Sequence, residues 1–91
     1  MSYRFQTTPS FRKSLSKLTV SQKESARKTF EIFKTNPFHP RLHTHKIHGL
    51  SVKFGRTIYS VWIESNVRAV LYLDGEVVVS VDIGTHAIYR S

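Results

Sequence analysis

Two stretches of the chain hold side chains that could do chemistry. "HTHKIH", His43 to His48, sets three histidines within six residues, and "GTHAIY", Gly84 to Tyr89, places His86 and Tyr89 after an apolar run. Imidazole gains and loses a proton near neutral pH, so a histidine can act as base or acid. Cations stand nearby in the sequence: Arg41, Lys46, Arg68 and Arg90. A base to take the proton of a ribose 2′-OH, cations to hold the charged phosphorane and an acid for the leaving 5′ oxygen are the parts needed to cut RNA without a metal. The same histidines also admit two plainer readings, an RNA contact and a surface cluster without chemistry.

Other chemistries fit less well. A zinc site needs three or four converging ligands. The chain has no cysteine and six acidic residues in all. In an extended segment His43 and His45 would share one face, with Lys46 and His48 on the other. Ser80, His86 and Asp82 could be drawn as a triad, but no nucleophile-elbow motif is present and Ser80 and Asp82 fall on one strand. No glycine-rich phosphate loop occurs. No metal or cofactor is expected.

The bulk numbers point to an anionic partner. The 91 residues suit one domain, 1–91, with 40% hydrophobic residues for a core. Fourteen Lys and Arg against six Asp and Glu give a formal net charge of +8. Such a balance favours nucleic acid. The absence of cysteine suits a reducing compartment, hence the cytoplasm. No signal peptide or membrane span is legible, so no membrane partner is expected.

The elements that must position these residues follow from pattern. "YRFQT", residues 3–7, alternates as a strand. Thr8 offers an N-cap and Pro9 suits the first helical position. Phe11, Leu15 and Leu18 recur at helical spacing. "SQKE" predicts a capping box from Ser21 to Glu24 opening a second helix, with Ala26, Phe30 and Phe33 as its stripe and Pro37 as its stop. The short connection makes the two an antiparallel hairpin. The histidine-rich segment reads as loop, extended over 42–50. Strands follow at 57–64, 67–73 and 77–83, an antiparallel meander. Parity of Val67, Ala69, Leu71 and Leu73 against Val77, Val79, Val81 and Ile83 predicts a three-residue hairpin loop with Gly75 left-handed. Arg68, Tyr72, Ser80 and Asp82 then share an open polar face, with Arg68 in contact with Asp82. The expected class is α+β: an N-terminal strand, a helical hairpin, and three or four antiparallel strands with the helices on one face.

This order of elements, with "NPFHPRLHTHKIHGL", "VRAVLYLDGEVVVSVDIGTH" and the short tail, resembles the RelE/ParE toxin superfamily of type II toxin–antitoxin pairs. "GTH" after the last strand is most similar to the YafQ-like branch. The resemblance implies a toxin held in check by a cognate antitoxin. RelE-like members cleave mRNA on the ribosome through 2′-OH attack, whereas ParE-like members poison DNA gyrase. By resemblance, His86 and His45 are acid–base residues, Arg68 binds phosphate, and Tyr89 acts on the base. Lys46, Arg41, Lys53 and Arg56 are the further RNA-binding candidates. Where the YafQ-like branch has another His and Asp, this chain reads "VWIESNVR", with Trp62, Glu64 and Asn66. A ribosome-associated, metal-independent mRNA endoribonuclease is the expectation. A toxin without nuclease activity, such as a gyrase inhibitor, and an orphan nucleic-acid-binding domain are the alternatives.

Overall fold

The computed structural model describes residues 3–85. In chain order the elements are β1 (Arg4–Thr7), α1 (Pro9–Ser16), α2 (Val20–Thr35), a 3₁₀ turn (Pro40–Leu42), β2 (His45–Lys46), α3 (His48–Phe54), β3 (Tyr59–Glu64), β4 (Val67–Asp74) and β5 (Val77–Gly84). The strands form one sheet in the order β1-β5-β4-β3-β2. β3, β4 and β5 make the expected meander, and β2 adds antiparallel to β3. β1 joins β5 in parallel, so the sheet is five-stranded and mixed. The α+β class stands; the sheet is larger than expected.

α1 starts as the sequence predicts. Thr8 accepts from the Phe11 N–H, and Pro9 occupies the first turn. α2 starts two residues earlier than expected. Its N-cap is Thr19, and Gln22 returns the bond to the Thr19 N–H, so the capping box is Thr19–Gln22 rather than Ser21–Glu24. Both pairs match the same pattern, but Val20 and Ser21 are themselves helical. The helix ends at Asn36 before Pro37.

The sheet has apolar residues on both faces. On one, Phe11, Ala26 and Phe33 of the first two helices pack against Val61, Ile63, Val67, Ala69, Leu71, Val78 and Ile83. On the other, Leu50 packs against Ile58 and Val70, with Ile47, Tyr72 and Val81 around them. The segment expected to be extended over 42–50 is thus strand only at His45–Lys46, and then becomes α3. The second face is not simply open: α3 lies on it. Ser51 locks the helix by donating to the Ile47 carbonyl and accepting from the Ile58 N–H. Gly55 closes it at φ 68, a left-handed cap that glycine adopts without strain.

The β4–β5 hairpin corrects the predicted register. Asp74 pairs with Val77, so the loop is the two residues Gly75-Glu76, with Gly75 left-handed at φ 61 as expected. Leu71 then faces Ser80, and the register shifts so that Val70 meets Asp82 and Ala69 meets Ile83. Val81 is the extra residue of this bulge. The bulge restores the core parity of Ile83 after the turn has broken it. Ser80 therefore lies buried on the face of α1 and α2, not on the polar face.

Candidate functional site

Along β4, Arg68, Val70 and Tyr72 alternate with Val67, Ala69 and Leu71. The first set faces the α3 side, and the second packs under α1 and α2. Arg68 sits opposite Trp62 on β3 and Gly84 on β5. Its Nη1 donates to the carbonyls of Ser65 at 2.8 Å and Val67 at 3.2 Å. The expected contact with Asp82 is not made: Asp82 sits across from Val70, diagonal to Arg68, and its Oδ1 accepts from the Ile83 N–H at 2.9 Å while the guanidinium donates to the turn carbonyls instead. Arg68 is thus braced by carbonyls and has no carboxylate partner among the described residues. Among the described residues the ion pair within 4.0 Å joins Arg27 to Glu24.

His45 reaches the same face from the sheet edge. It pairs with Ser60, which pairs with Val70. Its Nδ1 lies 2.8 Å from the His43 carbonyl oxygen. A carbonyl only accepts, so Nδ1 is the donor and, in the neutral ring, Nε2 keeps the lone pair. The exposed ring is therefore held in the tautomer that leaves Nε2 able to take a proton. His43 stands in a left-handed conformation at φ 49, with its ring edge-on to Trp62 at 6.1 Å between centroids.

The remaining candidates divide. Lys46 pairs with Tyr59, whose partner Leu71 belongs to the α1–α2 face, so Lys46 and His45 project to opposite sides. Arg41, on the 3₁₀ turn, lines a cleft of about 540 Å³ with Arg27, Lys28, Trp62 and Glu64. Lys53 and Arg56 belong to α3 and the turn after it. The Arg56 guanidinium stacks 4.1 Å above the Tyr72 ring, and Lys53 Nζ is 6.0 Å from the Phe54 ring. His86 and Tyr89 lie outside the described residues.

The strands thus gather His45, Trp62 and Arg68 on one face, at the end of the sheet where β5 finishes at Gly84. Trp62 was legible only as a departure from the family pattern. Its place across from Arg68 needs a register shift at Ile63: the tight Ser65-Asn66 turn pairs Glu64 with Val67, and the irregularity between Trp62 and Glu64 then brings Trp62 opposite Arg68. Phe54 carried no signal, because the α3 segment reads as extended. What the arrangement offers is a poised imidazole nitrogen, a braced guanidinium and a half-exposed indole. Together they can bind a phosphate, exchange a proton and stack on a base.

Known structures with this fold were found, while no family model and no curated protein matches the sequence. A chain of the archaeal RelE–RelB complex from Pyrococcus horikoshii superposes with a TM-score of 0.70 at 15% identity, covering 93% of this chain and 96% of that one. A copper-bound mutant toxin from Helicobacter pylori gives 0.64 at 18% identity, covering 97% and 98%. A conserved hypothetical protein from Helicobacter pylori gives 0.66 at 18% identity, covering 96% and 97%. At these identities the likeness is one of fold: the chain has the RelE-like fold along nearly its whole length.

Proposed function

We propose that this chain is a RelE/ParE-superfamily toxin of a toxin–antitoxin pair, and that it cleaves mRNA on the ribosome. The observation that carries the reading is the convergence, on a RelE-like fold, of His45 and a carbonyl-braced Arg68 beside Gly84, the residue two before His86. A complex of this fold with RelB is known, which supports a cognate antitoxin as partner. Among the described residues no helix is long and apolar enough to cross a membrane. The proposed site of action is the cytoplasm, where ribosomes and mRNA meet.

In the proposed reaction His45 or His86 takes the proton from the ribose 2′-OH. The 2′ oxygen bonds to phosphorus while the bond to the 5′ oxygen breaks, and the other histidine protonates that leaving oxygen. The products are a 2′,3′-cyclic phosphate and a 5′-hydroxyl. Arg68 stabilises the charge that builds on the phosphoryl oxygens, and Tyr89 stacks on a neighbouring base. No metal takes part.

The test is expression of the wild-type chain and of His86→Ala in cells, with mRNA 5′ ends mapped on ribosomes. Cleavage in phase with codons, lost in His86→Ala, is the expected result. Growth arrest without new mRNA ends would overturn the nuclease reading in favour of a toxin with another target, DNA gyrase among them.

A further inference from the structure

A cleft of about 320 Å³ opens between α3, the start of α1 and the end of β5, lined in part by Leu50, Lys53, Phe54, Val70, Val81 and Asp82. It lies on the α3 side of the sheet, and Asp82 is two residues before Gly84. We infer that this cleft receives one base of the RNA strand and selects it. The inference rests on the RNA reading above and adds to it a determinant of which sequence is bound.

Three features define the occupant. The floor is apolar, formed by Leu50, Val70 and Val81, which suits a flat ring. Phe54 leaves 45% of its surface exposed at the wall, far more than core packing needs, and so offers a stacking face. Lys53, 6.0 Å from that ring and in no ion pair among the described residues, can meet the attached phosphate.

Asp82 decides which base. One carboxylate oxygen, Oδ1, accepts from the Ile83 N–H, and the described residues supply no hydrogen bond to Oδ2. A carboxylate accepts and does not donate, so it favours a base edge rich in N–H groups. Guanine presents N1–H beside its 2-amino group. Uracil presents one N–H between two carbonyls, which the carboxylate repels. A purely phosphate-binding groove would have no use for an acid there. In a chain of net charge +8, this acid is placed among base-sized apolar walls.

The experiment uses short single-stranded oligouridine and the same oligomer with one central guanosine, both 2′-O-methylated so that no 2′-OH can attack. Binding to the full chain is followed by fluorescence anisotropy. The guanosine oligomer should bind about tenfold tighter, the discrimination one good paired contact supplies. Asp82→Asn keeps an oxygen for the Ile83 N–H and should abolish the preference. Phe54→Ala should weaken both oligomers alike. Thermal melting confirms that each variant is folded. Equal wild-type affinity for the two oligomers overturns base selection and leaves the RNA reading intact. No binding of either overturns the cleft as an RNA site, and the mapping of mRNA ends decides the cleavage reading separately.

Discussion

At the residue scale, Arg68 and His45 can be separated from the fold they sit on. Arg68 is half-buried on the α3 side, and its hydrogen bonds go to two carbonyls at the turn. Replacing it with alanine removes the cation and its two carbonyl hydrogen bonds. Cleavage of ribosomal mRNA should fall about 10²-fold or more, the usual effect of losing a donor to developing charge. Arg68→Lys should recover only part, since an ammonium cannot span two phosphoryl oxygens as the guanidinium fork does. Initial cleavage rates check both, and unchanged thermal melting shows the loss is chemical. His45→Asn is the companion test. Its amide N–H can still donate to the His43 carbonyl, but no Nε2 remains to take a proton. Cleavage should drop about 10²-fold with the fold intact, a typical contribution of general acid–base catalysis. A fully active His45→Asn protein would remove His45 from the mechanism.

At the scale of elements, local signals were legible where they were unambiguous. Thr8-Pro9 and Asn36-Pro37 bounded the helical hairpin correctly, since cap and proline chemistry act within a few residues. The α2 start was harder, because two overlapping capping patterns occur. Thr19→Ala should lower stability by about 1 kcal/mol and Ser21→Ala by much less, as urea unfolding would measure. A reversal would put the cap back at Ser21. The misread parts depend on distant contacts. "HGLSVKF" becomes helix because Leu50 can then bury against Ile58 and Val70, a contact no local pattern announces. The β5 run "VVVSVDI" alternates cleanly, with Val77, Val79, Val81 and Ile83 at one parity and Ser80 and Asp82 at the other, so it gave no sign of the bulge that moves Ser80 under α1 and α2 and sets Asp82 across from Val70. Gly75 was legible as left-handed, and it tests the hairpin. A side chain there meets nothing within 4 Å, so Gly75→Ala is penalised only by its φ of 61. The cost should be about 1–2 kcal/mol, read from the same unfolding curves.

At the scale of the whole molecule, the question is whether the +8 charge acts as a diffuse field or through a track. A diffuse field would draw RNA to any face, and each lysine would count alike. The structure separates the cations. Lys23, Arg27 and Lys28 lie on α2, whose apolar side covers one face of the sheet, whereas Lys53, Arg56 and Arg68 lie on the other face with His45. Arg56 is further fixed by its stacking on Tyr72, so its charge is held in place before RNA arrives. Each phosphate neutralised on a single strand releases counterions and steepens the salt dependence, with log K falling by about 0.7 per contact for each decade of salt. A track predicts that Lys53→Ala or Arg56→Ala lowers the magnitude of that slope by about 0.7, while Lys23→Ala leaves it unchanged. Affinities for a short non-cleavable RNA between low and moderate salt decide the matter. Equal slope changes in all three variants would show that the charge attracts RNA without guiding it across the α3 face.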